Sequence, residues 1–156
     1  MYISKIRQKI GHDLLIHPAV RIIVENDRGE FLFILRIDNG QYGIPAGALE
    51  EGESIEDCAK REVLEETGLE ILNLDVIGIG SHPQSEQVVY PNGDVTQYCT
   101  IEFYSKEWKG QLRADELETK QVFFKPKEFV QKLPTNELAC FESLAYYREK
   151  GRIRLH

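Results

Sequence analysis

Glu62, Glu65 and Glu66 stand in a segment whose other features mark it as an amphipathic helix. Ser54 followed three residues later by Asp57 resembles a capping box, and Gly68 stands where a helix end favours a left-handed residue. The spacing therefore predicts a helix from Ser54 to Thr67. Each residue advances about 100° around such a helix, which brings Ile55, Ala59, Glu62 and Glu66 into one narrow arc. Glu62 and Glu66 fall in the middle of the apolar stripe and Glu65 on its edge. Carboxylates packed against a fold without counter-charge are costly. A solvated acidic face pairing with Lys60 and Arg61 is the ordinary alternative, but it does not explain two carboxylates inside the apolar arc. A divalent cation does. Oxygen-only ligands suit Mg²⁺, which keeps several waters and shares its remaining positions with substrate phosphates.

The segment from Gly47 to Leu69 has a recognisable pattern: Gly47, five residues, Glu53, seven residues, then Arg61-Glu62-Val63-Leu64-Glu65-Glu66-Thr67-Gly68-Leu69. It resembles the box of the Nudix hydrolases at every fixed position. The usual Pro-Gly-Gly approach reads Pro45-Ala46-Gly47, with the box glycine kept. The resemblance extends over most of residues 18 to 130. It implies a Nudix-type α/β/α sandwich with a mixed sheet, and a Mg²⁺- or Mn²⁺-dependent hydrolase that cleaves the pyrophosphate linkage of a nucleoside diphosphate joined to a group X. By the same resemblance Glu62, Glu65 and Glu66 are metal ligands, joined by the backbone carbonyl of Gly47. Glu53 and Arg61 are then a brace between loop and helix, since a guanidinium fork holds a carboxylate bidentately.

The general base is open between three residues. Family members take it from the box helix or from a glutamate on a loop just before a strand with an aromatic pair. Asp115-Glu116-Leu117-Glu118 precedes Gln121-Val122-Phe123-Phe124, so Glu116 fits that place best, with Glu118 and Glu65 as alternatives. For the substrate, Pro83 follows Gly68 by fifteen residues, an offset associated with the ADP-ribose branch of the family. Tyr90-Pro91-Asn92-Gly93-Asp94 resembles a short segment of bacterial relatives. Arg36, Tyr42, Tyr98 and Phe103 are candidate phosphate or base contacts, each with a core or sheet-face role as the plainer alternative. The preferred substrate is a nucleotide sugar such as ADP-ribose. The alternatives are a MutT-like nucleoside triphosphate pyrophosphohydrolase and a noncatalytic nucleotide-sensing module, against which the intact box counts.

These residues must be positioned by a chain of 156 residues, the length of one domain, 1–156. A net charge of −7 argues against binding large nucleic acids and leaves a small phosphorylated substrate compatible. Cys58, Cys99 and Cys140 show no paired spacing, and the four histidines share no metal-ligand spacing. No apolar run approaches membrane-spanning length and the first residues lack a signal-like stretch, so the expectation is a cytoplasmic protein with no membrane partner. Ile3, Ile6 and Ile10 before Gly11 predict a leading helix whose apolar side could support a homodimer. Ala19–Val24 and Phe31–Ile37 read as strands joined by an Asn26–Gly29 hairpin turn, and 71–79 as one further strand. Gln87–Tyr90 and Val95–Tyr104 pair across Asn92-Gly93. Gln121–Phe124 is a short strand, and Asn136 is expected to cap a closing helix that Gly151 ends. Strands interleaved with helices indicate an α/β layered domain.

Overall fold

The strand β1 (Leu15–Val24) carries Val20, Ile22, Ile23 and Val24, a branched run suited to a strand buried on both faces. In the computed structural model, which describes residues 1–156, β1 lies inside the main sheet. It pairs in parallel with β8 (Val95–Ser105) and antiparallel with β4 (Ala46–Ala48). Beyond β8 come β6 (Asp75–Gly80), antiparallel, and β11 (Arg154–Leu155), parallel to β6, so the sheet is mixed. β7 (Gln87–Val89) folds back onto β8 across the Asn92-Gly93 turn. A second sheet joins β2 (Phe31–Arg36) to β3 (Tyr42–Gly43) and β10 (Thr119–Lys125), and a third pairs β5 (Leu69–Ile71) with β9 (Trp108–Gly110).

Helices cover both faces. α2 (Ile55–Thr67) packs Cys58, Ala59 and Val63 on Val20, Ile22 and Val24, because successive β1 residues point to opposite sides. Ile23 faces the other way, with Ile77, Cys140 and Leu144, under α4 (Thr135–Lys150). The result is an α/β layered sandwich with one apolar core on each side of the sheet. α1 (Tyr2–Ile10), ended by Gly11, has no buried residue. No helix is long and apolar enough to cross a membrane.

Three elements depart from the sequence reading. The Asn26–Gly29 turn forms, with Asn26 Oδ1 accepting from the backbone N–H groups of Arg28 and Glu30, but β1 and β2 do not form a hairpin ladder. Both edges of β1 are already taken by β8 and β4, so the turn carries the chain to another sheet. The segment 71–79 is split into β5 and β6, which serve different sheets. Asn136 is not the cap of α4: Pro134 precedes the helix, and Asn136, inside its first turn, accepts from Glu137 N.

Candidate active site

The box begins at β4 and returns through α2. Ser54 Oγ accepts from Asp57 N at 3.1 Å, and Gly68 ends the helix at φ 78°. Glu53 lies in the intervening loop, and Arg61 reaches it with two bonds, Nε to Oε2 at 2.9 Å and Nη2 to Oε1 at 2.7 Å. Glu53 Oε1 also accepts from Glu50 N at 2.8 Å. The Arg61 contact holds the Glu53 carboxyl down to about 2. Arg61 further donates to Glu62 at 2.7 Å, to Glu65 at 3.1 Å and to the Ala48 carbonyl at 3.3 Å, so one guanidinium binds the loop, β4 and the helix together.

Glu62 and Glu66 are buried, at 8% and 2% exposure, whereas the Glu65 side chain is open. Burial pushes the Glu62 carboxyl up to about 7 against the pull of Arg61, with Glu65 and Glu118 adding to the rise. Burial raises Glu66 to about 8, with Arg36 and Ala46 N opposing and Glu62 and Glu118 reinforcing. Ala46 N donates to Glu66 Oε2 at 3.1 Å, and Arg36 Nη1 stands 3.8 Å from Glu66 Oε1. Gly47 is required by contact: a Cβ there would meet the Glu62 carboxyl at 2.0 Å. The missing side chain lets the Glu62 carboxylate lie against the β4 backbone at Gly47. As they stand, no three acidic, histidine or cysteine side chains gather tightly enough to hold an ion, since Glu62 is turned to Arg61. The donor set nevertheless fits a hard cation: carboxylate oxygens only, two of them buried with less positive charge than they need.

The remaining expected residues are placed unevenly. Arg36, on β2, sits in the cleft between Glu66 and Glu137, 3.4 Å from Glu137 Oε1. Tyr90 lines the cleft, and its hydroxyl meets that of Tyr98 at 2.6 Å. Tyr42 is not brought there: its ring packs on Phe129 and Phe123, with centroids 4.9 and 6.0 Å away. Aromatic burial under the last helices takes it from the cleft. Pro83 starts the short helix α3 (Pro83–Glu86) on the exposed surface, outside the cleft lining. Phe103 is buried in the α2-side core. Glu116, at φ 64°, faces a hollow beside Ile37 and Lys120 that shares Arg36 with the main cleft, while Glu118 lines the main cleft and acts electrostatically on Glu62 and Glu66.

Two further polar groups were missed by sequence reasoning. Glu137, buried in the first turn of α4, accepts from Ile44 N at 2.7 Å and faces Arg36. Arg21, on β1, is held by Glu86 through bonds of 2.6 and 2.9 Å, and Glu86 also accepts from Thr100 at 2.8 Å. A lone arginine inside the branched run of β1 was the one visible signal for the second group.

Fold and site together define a class of protein: an α/β sandwich whose glycine loop and acidic helix are bound by one arginine beside a cleft. The NUDIX domain model matches residues 15–143, and the chain belongs to the Nudix hydrolase family. An ADP-ribose pyrophosphatase of Methanocaldococcus jannaschii is 33% identical over 127 residues, 78% of this chain and 70% of that protein. The NAD-capped RNA hydrolase NudC of Vibrio parahaemolyticus is 33% identical over 102 residues, 65% of this chain but 35% of its own length. The chain thus spans about a third of some curated relatives it matches, including 38% of one from Caenorhabditis elegans. Among solved structures, the MutT protein of Methanosarcina mazei Go1 superposes with a TM-score of 0.70 at 23% identity, covering 88% of this chain and 99% of that one. The NUDIX domain of Shewanella oneidensis NrtR, solved with ADP ribose, gives 0.69 at 17% identity, with 97% of each chain covered. These likenesses show the fold.

Proposed function

We propose that the chain hydrolyses the pyrophosphate linkage of a nucleoside diphosphate joined to a second group, a nucleotide sugar such as ADP-ribose being the preferred substrate. The observation that carries this reading is the buried pair Glu62 and Glu66, one helical turn apart on α2 and facing the Gly47 loop at the cleft. Glu62, Glu66, Glu65 and the Gly47 carbonyl would hold Mg²⁺ or Mn²⁺. Such a cation neutralises charge on the diphosphate oxygens and steadies the leaving phosphate.

The chain's own residues supply the rest. Arg61 fixes the helix against the loop, so that the carboxylates and the glycine carbonyl keep one geometry. Arg36 faces the cleft with charge to spare for a phosphate oxygen, its two carboxylate contacts being long, at 3.8 and 3.4 Å. Water attacks one phosphorus, the bridging P–O bond breaks, and the proton of the water passes to a carboxylate. Glu118 is assigned that role over Glu116 and Glu65, because it lines the main cleft, whereas Glu116 faces the adjoining hollow.

The preference for a nucleotide sugar is supported by the Methanocaldococcus relative named an ADP-ribose pyrophosphatase. The test is a panel of nucleoside diphosphate sugars, nucleoside triphosphates and dinucleoside polyphosphates, assayed with Mg²⁺ and with Mn²⁺. ADP-ribose is expected to give AMP and ribose 5-phosphate with the highest kcat/KM. Faster turnover of a triphosphate would move the substrate to the MutT-like class, and no turnover of any compound would overturn the enzymatic reading.

A further inference from the structure

The leading helix lies against the cleft and has no part in the catalytic reading. α1 has no buried residue, yet it is tied down at both ends. Near its start Tyr2 N donates to Glu50 Oε2 at 2.6 Å and Lys5 pairs with Glu51, both on the loop that follows β4. Near its end Arg7 donates to Val95 O at 2.7 Å and Thr96 Oγ1 at 2.8 Å, and His12 meets Asp94 at 2.8 Å. The helix is therefore a strap from the box loop to the β7–β8 turn.

Beneath the strap lies a cavity of about 1070 Å³, lined along one side by residues 3, 4, 7 and 8, which share a face of α1, and by Gly11 at its end. It shares Arg36, Asp38, Ala48, Tyr90 and Tyr98 with a smaller hollow of about 450 Å³ that contains Gly47. The two form one cleft with unlike ends. At the Gly47 end stand Arg36 and the box, suited to phosphates. At the α1 end the one nearby guanidinium, Arg7, is spent on Asp94 and on β8. What that end offers instead is apolar surface from three separate elements: Ile3 of α1, Tyr90 before the β7–β8 turn, and Leu117 from the loop before β10. Leu117 is 82% exposed and Tyr90 37%, so both offer apolar surface to a ligand in the cavity. The Tyr90–Tyr98 hydroxyl contact, at 2.6 Å, restrains the Tyr90 ring. Ser4 and Gln8 add polar groups on the same wall.

We propose that this end of the cleft is the subsite for the nucleobase, with the ring held among Ile3, Tyr90 and Leu117, and that α1 is the element that sets base preference. Apolar groups from three elements, one of them a tyrosine ring, suit an aromatic base, and the volume is on the scale of a nucleotide-sized ligand site. The inference deepens the pyrophosphohydrolase reading and rests on it for the placement of the phosphates.

Calorimetric binding of two ligands in Mg²⁺ tests it: ADP, and methylenediphosphonate, which keeps a diphosphate-like group without a base. Tyr90→Ala and Leu117→Ala are expected to weaken ADP about tenfold each and to leave methylenediphosphonate unchanged. Leu117 is too exposed for its truncation to threaten folding, and thermal melting checks both variants. Equal weakening of the two ligands, or unchanged ADP affinity in both variants, would overturn the subsite. Wild-type protein that binds methylenediphosphonate as tightly as ADP would also overturn it while the phosphate site stands. Failure to bind either ligand, with no turnover of the substrate panel, would bring down the enzymatic reading instead.

Discussion

At the scale of single residues, helical spacing made Glu62 and Glu66 visible, because carboxylates in an apolar arc are a conflict that sequence alone displays. Arg61 and Glu53 were legible only through their place in the box, and their contact distances show why both are needed. Glu53 carries a pH signature. Its carboxyl sits at about 2 in the fold, held there by Arg61, against about 4.3 for an unfolded glutamate. A lowered folded value means stability that is present above about pH 4.3 and lost as pH falls towards 2. Glu53→Gln is therefore expected to lower stability by about 1–3 kcal/mol at pH 7, and the gap to wild type should close near pH 2. Urea unfolding at a series of pH values measures it, and a gap independent of pH would contradict the assignment. Glu137 was illegible because its partners, Ile44 N and Arg36, lie about a hundred residues away. Tyr42 takes the plainer of its two roles, packed among Phe123 and Phe129.

At the scale of elements, local signals did well where an element answers only to itself. The cap of α2, its glycine end and the Asn92-Gly93 turn all formed as their residues dictate. They failed where the choice of partner strand decided the outcome. The break between β5 and β6 reflects two sheets competing for one apolar stretch, a competition that periodicity does not record. The loop before β10 shows the same limit for function. Asp115 Oδ1 accepts from the backbone N–H groups of Leu117, Glu118 and Thr119 at 3.0, 3.0 and 2.8 Å. Burial works against the ionised form, yet these bonds outweigh it and hold the Asp115 carboxyl below its ordinary value. Asp115 thus positions Glu118 through the backbone. Asp115→Ala is expected to lower kcat about tenfold with little change in KM, while Asp115→Asn, which keeps the accepting oxygen, should recover most of the rate. Equal losses in the two variants would assign the effect to general loosening of the loop.

At the scale of the molecule, the sheet sets α2 and α4 on opposite faces and leaves a cleft where β4, the loop before β10, the start of α4 and the strap α1 meet. The layered class followed from the alternation of strands and helices. The cleft did not, because its walls come from residues near 1, 36, 90, 118 and 137, which only the folded chain brings together. The leading helix illustrates the point: nothing in its isoleucine spacing shows that the fold makes Ile3 part of the wall of a cavity. All these parts converge on one claim, that the buried carboxylates of α2 serve a cation on which diphosphate hydrolysis depends. The most direct test is the rate of ADP-ribose hydrolysis as a function of Mg²⁺ concentration for wild type and Glu66→Gln, each shown to be folded by its thermal transition. The expected result is saturable activation of the wild type and a loss of at least about 10²-fold in the variant at every Mg²⁺ concentration. A folded Glu66→Gln protein with wild-type turnover and wild-type Mg²⁺ dependence would contradict it.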